Sequence, residues 1–190
     1  GTCLVGSEMC IRDRLIMDGQ INLNRLKSLK IITYGSEMMD ENTLLRLNKL
    51  LPNVKFKQTY GMSEISILRV KSESNRSLWI KIDSDELKTK IIKKTLYIKP
   101  KIKMFGYLNH KSPFDKNGWY NTNDLVEKKE GYIKIVGRSK HIISIGGLKI
   151  LPSEIERVAL ELPEVRNAKA KGVNNPITGQ HVEILSLIHI

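Results

Sequence analysis

The segment from Gly118 to Glu156 reads GWYNTNDLVEKKEGYIKIVGRSKHIISIGGLKILPSEIE. Two runs rich in β-forming residues, Trp119 to Glu127 and Tyr132 to Val136, flank three charged residues and a glycine at 128–131. Such a pattern predicts a β-hairpin with its turn at the charged residues. The segment therefore predicts two antiparallel strands whose outer ends lie side by side.

Two charged residues, Asp124 and Arg138, lie at the ends of the predicted hairpin and can point toward one site. An ionised carboxylate only accepts hydrogen bonds, and it suits a vicinal diol such as a ribose. Arginine offers a planar fork of donors to hydroxyl or phosphate oxygens. The pair therefore predicts a binding site for a ligand that carries such oxygens.

The chain after the hairpin contains a short apolar strand, a glycine pair and the start of a helix. Residues 142–145 form the strand, and Gly146 and Gly147 permit positive φ and let the backbone pass close to a ligand. Ser153 and Glu156 match an S-x-x-E capping box that opens a helix. The predicted apolar face of this helix consists of Ile155, Val158, Ala159 and Leu162.

This order of residues resembles the adenylate-forming superfamily, which includes acyl- and aryl-CoA ligases, adenylation domains of peptide synthetases, and luciferases. The family pattern Y-x-T-G-D resembles residues 120–124, and G-R-x-(D or K)-x-x-I-K-x-x-G-x-(R or K)-I-x-P-x-E-I-E resembles residues 137–156. Asn123 stands where the family has glycine, and Ser144 stands where many members have lysine. Lys140 occupies the hinge position of the family.

Composition places the chain among globular proteins. Its 190 residues are 41% hydrophobic and 27% charged, which is ordinary for a soluble domain. The net charge of +12 can indicate a nucleic-acid or anionic-membrane partner. The lysines, however, are scattered and alternate with strand residues, as on a solvated strand face. Because of this scatter we expect no nucleic-acid partner. No apolar run is long enough for a bilayer, so we expect no membrane span either.

The two ends differ from the rest of the chain. Residues 1–14 (GTCLVGSEMCIRDR) and 185–190 (LSLIHI) resemble translated sequencing-adapter read-through, and we expect both to be artefacts. Both cysteines, Cys3 and Cys10, lie in the first of these segments. A body without cysteine fits a cytoplasmic protein without a disulfide framework.

The part that precedes the hairpin is predicted to form a βαβ unit of a parallel sheet. Residues 29–34 form a buried strand, Asp40 can cap a helix that runs to about Leu51, and residues 54–59 form the next strand. Ligands of such sheets bind at the carboxyl ends of the strands. Two segments occupy these ends, Gly35 to Glu37 and Tyr60 to Glu64.

The second of these segments, within Q-T-Y-G-M-S-E, resembles the (N or Q)-x-Y-G-x-(T or S)-E motif of the family. Tyr60 offers a flat face for adenine, and Gly61 lets the backbone approach the nucleotide. Ser63 is a compact donor for a phosphate oxygen. Glu64 is a hard oxygen ligand that suits Mg²⁺ held between protein and phosphates.

The resemblance implies an α/β fold with parts of two domains. The C-terminal part of the large AMP-binding domain, a βαβ unit plus a β-rich subdomain, would span residues 15–139. The first part of a small α+β lid domain would span residues 140–184, with the hinge at Lys140. The segment of Gly35 and Ser36 resembles the family's G-(G or A)-E sequence, which lines the acyl and adenine pocket.

The resemblance also implies a function. The chain would be a fragment of an ATP-dependent ligase that activates a small carboxylic acid as acyl-AMP and passes it to a thiol of CoA or carrier-protein phosphopantetheine. Glu64 and Ser63 would act in catalysis, with Glu64 as the Mg²⁺ ligand, and the loop of Gly146 and Gly147 would face the thiol channel. The implied nucleotide-binding residues are Gly35, Ser36, Tyr60, Gly61, Asp124 and Arg138.

Three alternatives to an acyl-CoA ligase stay open. The chain can belong to an adenylation domain that loads a carrier protein, to a non-catalytic basic interaction or nucleic-acid module, or to a catalytically dead adenylate sensor. The family's phosphate loop and lid lysine do not occur in this sequence. We therefore expect the chain alone to be inactive as a ligase.

Overall fold

A computed structural model of the protein describes most of the chain. The described residues are 5–6, 26–35, 38–82 and 85–188. The predictions for Ser36, Glu37 and most of residues 1–14 concern positions outside these ranges. The chain divides into two compact units: residues 1–122 with 126–135, called the first unit, and residues 123–125 with 136–190, called the second unit.

The described residues of the first unit contain a three-stranded parallel sheet with one helix. The strands are β1 (Val5–Gly6), β2 (Ile31–Tyr34) and β3 (Lys55–Gln58), in the order β1-β2-β3. Helix α1 (Glu41–Leu50) connects β2 to β3, which confirms the predicted βαβ unit. Asp40 caps the helix by accepting a hydrogen bond from the Thr43 backbone N–H at 3.0 Å. The helix packs its apolar side into a cluster formed by Tyr34, Met39, Leu44, Leu47, Leu51, Val54 and Phe56.

A hydrogen-bonded pair of asparagines, the buried Asn48 and the half-buried Asn75, joins α1 to a loop before the next sheet. The Asn75 side-chain amide donates to Asn48 Oδ1 at 2.6 Å, and Asn48 Nδ2 donates to the Asn75 carbonyl at 3.0 Å. Asn75 Oδ1 also accepts from the Phe56 backbone N–H at 2.6 Å, so a backbone group of β3 is satisfied. The loop that contains Asn75 thus clamps the helix to the sheet.

The rest of the first unit is antiparallel. A small hairpin consists of β4 (Tyr60–Met62) and β5 (Ser66–Leu68). The larger sheet has the order β6-β7-β11-β10-β9-β8. Its strands are β6 (Val70–Ser72), β7 (Ile80–Ile82), β8 (Leu87–Ile92), β9 (Thr95–Pro100), β10 (Tyr120–Lys129) and β11 (Tyr132–Arg138). Three side chains at the centre of its core, Ile80, Leu96 and Ile98, are almost completely buried.

The predicted hairpin is present as β10 and β11. Its turn consists of two residues, Glu130 and Gly131, which both have positive φ (48° and 82°). Two-residue turns with positive φ follow the right-handed twist of the strands they connect. The prediction of a four-residue turn was wrong, because Lys128 and Lys129 continue β10.

The second unit has a four-stranded antiparallel sheet in the order β13-β12-β15-β14 and one helix. Its elements are a 3₁₀ turn (Ser139–His141), β12 (Ile143–Ile145), β13 (Leu148–Ile150), α2 (Pro152–Ala159), β14 (Val165–Asn175) and β15 (Gly179–Ile188). Gly146 and Gly147 connect β12 to β13 with φ of 55° and 91°, which confirms that the glycine pair is used for positive φ.

Helix α2 starts differently from the prediction. Leu151 is its N-cap, and the Leu151 backbone N–H donates to the Glu154 carboxylate at 3.0 Å. The predicted capping box of Ser153 and Glu156 is therefore wrong, because Pro152, whose fixed φ suits the first helical position, begins the helix earlier. Ser153 Oγ instead donates to the Val136 carbonyl at 2.8 Å, and Glu156 accepts from the Ala170 backbone N–H at 3.0 Å. Both side chains thus fasten the helix to neighbouring strands.

The predicted apolar face of α2 is only partly buried. Ile155 and Ala159 are half-buried, whereas Val158 and Leu162 are more than half exposed. Leu162 lies beyond the end of the helix at Ala159, so it does not continue the helical face. Neither helix of the described residues has the length and the apolar run that crossing a bilayer would require.

Parts of the two unusual ends take part in the sheets. Val5 and Gly6 pair with Ile32 and Thr33 of β2, and residues 185–188 continue β15 along β14. The side chains of Leu185, Leu187 and Ile188 are nevertheless more than half exposed. That these ends are sequencing artefacts stays a prediction.

Candidate functional site

Asp124 and Arg138 form an ion pair in the second unit. Arg138 Nε donates to Asp124 Oδ1 at 3.1 Å. Asp124 is only 4% exposed, whereas the Arg138 side chain is 59% exposed. A buried carboxylate needs a charged or hydrogen-bonding partner, and the arginine supplies one. The hairpin therefore brings the two predicted residues together, with the guanidinium open to solvent and the carboxylate held beneath it.

The backbone next to Asp124 explains how the carboxylate reaches this position. Asn123 has φ of 59° in the middle of β10. Asparagine tolerates the left-handed conformation better than most residues other than glycine, so it can take the place of the family's glycine. Residues 123–125 belong to the second unit, whereas the β10 residues on both sides belong to the first.

Tyr60 and Gly61 lie in β4 of the first unit. Tyr60 is 5% exposed and packs in a core cluster with Ile65 and Leu68. The structure thus shows Tyr60 packed in the core. Stacking on adenine would need an accessible ring face and stays a prediction. A Cβ on Gly61 would lie 2.6 Å from the Ile67 Cα, which means that the pairing of β4 with β5 already requires glycine.

Gly35 lies where β2 and β3 end side by side. A Cβ at this position would lie 2.2 Å from the Thr59 carbonyl oxygen, so only glycine fits. The Thr59 backbone N–H and its hydroxyl both donate to the Tyr34 carbonyl, at 2.7 and 3.1 Å. Burial raises the pKa of Tyr34 to about 12. The close approach fixes the backbone at the carboxyl ends of the parallel strands, where ligands of such sheets bind.

Glu64 lies in the turn of the β4–β5 hairpin, next to the exposed Ser63. The Tyr107 hydroxyl donates to Glu64 Oε1, and the Met104 backbone N–H donates to the Glu64 carbonyl at 3.3 Å. The hydrogen bond to Glu64 raises the pKa of Tyr107. The sequence analysis did not single out Tyr107. The M-x-G-Y sequence at residues 104–107 draws attention to this segment but does not indicate the hydrogen bond to Glu64.

The residues present fit a Mg²⁺ ion that is held mainly by phosphates. Within the described ranges, no group of three or more His, Cys, Asp and Glu side chains could hold a metal ion. Mg²⁺ is commonly bound through one or two carboxylates together with substrate phosphates. Glu64 is half-buried and offers one such carboxylate, and its role as the Mg²⁺ ligand stays a prediction.

The remaining predicted residues lie in the second unit. Lys140 is exposed in the 3₁₀ turn after β11. The Gly146 backbone N–H donates to the Thr178 carbonyl at 2.9 Å, so the glycine turn is fixed against the loop between β14 and β15. The hinge and thiol-channel roles of these residues stay predictions. A cleft shared by Tyr60, Asp124 and Arg138 also stays a prediction.

Comparisons with known proteins give the following relations. No family model matches the sequence. The chain is 29% identical over 172 residues to the phenylacetyl-CoA ligase epaB of Aspergillus niger, an alignment that covers 79% of this chain and 32% of that protein. It is 38% identical over 89 residues to the fatty acid–[acyl-carrier-protein] ligase MmaC of Mycobacterium marinum, covering 45% of this chain and 17% of that protein.

Among solved structures, the chain resembles ATP-bound MatB from Rhodopseudomonas palustris. The TM-score is 0.82 at 19% identity, and the match covers 98% of this chain and 41% of that chain. This likeness confirms the predicted α/β fold class. The first curated relatives are matched over about a third of their length (32% for epaB and also for the acyl-CoA ligase azaF).

Proposed function

Because the chain is related to adenylate-forming acyl-CoA ligases over about a third of their length, we propose that it is part of such a ligase. The enzyme would activate a carboxylic acid as acyl-AMP and transfer the acyl group to a thiol. The observation that carries this proposal is the ion pair of Asp124 and Arg138. It supports an adenosine site because a held carboxylate and an accessible guanidinium match a ribose and its adjacent oxygens.

In the first half-reaction, the carboxylate of the acid attacks the α-phosphate of ATP, and pyrophosphate leaves. Arg138 would donate to ribose or phosphate oxygens, and Asp124 would accept from the ribose. Ser63 would donate to a phosphate oxygen, and Glu64 would hold the cation. Mg²⁺, when bound, would offset the negative charge of the phosphates. Donors placed in advance around the developing charge lower the barrier.

In the second half-reaction, a thiol attacks the acyl carbon of acyl-AMP, the thioester forms, and AMP leaves. We propose that the part of the chain after Lys140 moves as a lid about that residue, and that such a motion gates the second step. The turn of Gly146 and Gly147 would then face the channel for the thiol. The thiol would belong to CoA or to the phosphopantetheine of a carrier protein, and the likeness to a carrier-protein ligase supports keeping both.

A cytoplasmic location is part of the same proposal. It rests on the distribution of cysteine, because residues 15–184 contain none. An enzyme that transfers an acyl group to a thiol and lacks a disulfide framework suits a reducing compartment.

Acid-dependent ATP–pyrophosphate exchange tests the proposal. The intact ligase should exchange label between pyrophosphate and ATP only when a suitable carboxylic acid is present. A panel of aryl and fatty acids is required, since this chain does not define the acid. Absence of exchange with every acid, together with salt-sensitive binding of DNA, would instead favour a basic interaction module, to which the net charge of +12 points.

A further inference from the structure

The segment that contains Tyr107 is anchored on the first unit although it has no regular secondary structure. Met104 packs against the core cluster that includes Tyr60 and Ile65. Its backbone N–H donates to the Glu64 carbonyl at 3.3 Å. Phe105, which follows Met104, is fully exposed, and Tyr107 is 45% exposed. The segment is therefore fixed at Met104, three residues before the tyrosine that reaches Glu64.

The hydrogen bond from the Tyr107 hydroxyl helps to hold the Glu64 side chain in one orientation. A glutamate has three rotatable side-chain bonds, and it loses conformational entropy when it is held in one rotamer. A hydroxyl that donates to a carboxylate forms a charge-assisted hydrogen bond, which is stronger than one between neutral groups. Such a bond uses one of about four lone-pair sites on the carboxylate. The tyrosine can thus orient Glu64 while the carboxylate also coordinates a cation.

We propose that Tyr107 is a positioning residue whose hydroxyl holds the Glu64 carboxylate in the orientation that binds the divalent cation of metal–ATP. The inference rests on the proposed function, because it assumes that Glu64 is the metal ligand. A purely structural role, in which the bond only fastens residues 104–107 to the β4–β5 hairpin, makes a different prediction. It requires no change in cation affinity when the hydroxyl is removed and the fold is kept.

The variant Tyr107→Phe removes the hydroxyl and keeps the ring. Because the side chain is almost half exposed, we expect the variant to fold. Tyr132→Phe is the matched control, since it removes a hydroxyl at the start of β11 rather than at Glu64. Glu64→Gln removes the charge of the proposed ligand at nearly constant shape. Far-ultraviolet circular dichroism and thermal midpoints verify that all three variants are folded.

Binding of Mn²⁺ to the intact ligase with a non-hydrolysable ATP analogue gives a readout besides activity. The paramagnetic resonance signal of free Mn²⁺ reports the affinity. We expect Tyr107→Phe to weaken Mn²⁺ binding about tenfold, the size of one hydrogen bond to a charged group. In ATP–pyrophosphate exchange, the same variant should lower kcat and leave the KM for the acid unchanged. Tyr132→Phe should behave as the unchanged protein.

Two results would overturn the inference, and only one of them would also contradict the role of Glu64 in the proposed function. If Glu64→Gln weakens Mn²⁺ binding and Tyr107→Phe does not, the hydroxyl only fastens the loop, and the proposed function stands. If neither variant changes Mn²⁺ binding, Glu64 is not the metal ligand, and its role in the proposed function fails together with this inference.

Discussion

The ion pair of Asp124 and Arg138 should stabilise the folded chain through its charge, and Arg138→Ala tests this. Coulomb's law gives about 5 kcal/mol for unit charges at this 3.1 Å separation with an effective dielectric constant of about 20. Because more than half of the Arg138 side chain is exposed, solvent screening reduces the net value to about 1–2 kcal/mol. Removing the arginine also leaves a buried carboxylate without this partner, which adds to the cost.

A double-mutant cycle measured by urea unfolding isolates this interaction. The four proteins are the original chain, Arg138→Ala, Asp124→Asn and the double variant. The amide keeps the shape of the carboxylate but not its charge. Arg138→Ala should therefore lower the free energy of unfolding much less in the Asp124→Asn variant than in the original chain. We expect a coupling free energy of about 1–2 kcal/mol. A coupling free energy below about 0.3 kcal/mol, which is the scatter of independent sites, would show that the ion pair does not stabilise the folded chain.

Three further predictions concern the fold around the candidate site. Asn123→Gly should change the free energy of unfolding by less than about 1 kcal/mol. Asn123→Val should lower it by more than that, because valine is strained at a φ of 59°. Equal effects of the two variants in urea unfolding would contradict this. Asn75→Ala should lower the free energy of unfolding by about 1–3 kcal/mol, because it leaves buried groups of Asn48 and β3 without their partner. Substitution of the exposed Asn53 by alanine is the control. An equal loss of stability in both variants would show that Asn75 does not fasten α1 to the sheet. The raised pKa of Tyr34, about 12, should add stability below its unfolded pKa of 10, and this stability should be lost as the pH rises through 12. Tyr34→Phe should remove that loss in thermal unfolding between these pH values, and an unchanged pH dependence would contradict the assignment.

The sequence predicted the elements that local chemistry determines. Alternation around a charged turn predicted the β10–β11 hairpin, and the buried run followed by Asp40 predicted the capped helix α1. The glycine pair predicted a turn with positive φ at residues 146–147. In each case residues that are close in the sequence determine the conformation, so the sequence alone predicts it.

The features that sequence reasoning missed depend on contacts between distant residues. Tyr107 lies 43 positions from Glu64, and Asn75 lies 27 positions from Asn48. No pattern of neighbouring residues predicts such a hydrogen bond. The capping box of α2 failed for a related reason: Ser153 and Glu156 have the required spacing, but their side chains bond to β11 and β14 instead.

The burial of Tyr60 shows a second limit of sequence reasoning. A tyrosine beside a glycine at a strand end suits both a nucleotide-stacking face and a core position. Packing with Ile65 and Leu68 selects the core position in this structure. Residue type alone did not distinguish these outcomes, because an aromatic ring contributes a large apolar surface to either one.

The affinity of the intact protein for ATP with and without the Asp124 carboxylate decides whether this residue binds the ribose. Isothermal titration calorimetry would compare Asp124→Ala and Asp124→Asn with Glu127→Ala, which removes an exposed carboxylate from the same strand. The account predicts that both Asp124 variants raise the Kd for ATP by about tenfold or more, the cost of losing a hydrogen bond to a charged group, and that Glu127→Ala leaves it unchanged. An unchanged Kd in folded Asp124 variants would contradict the assignment of this carboxylate to the ribose.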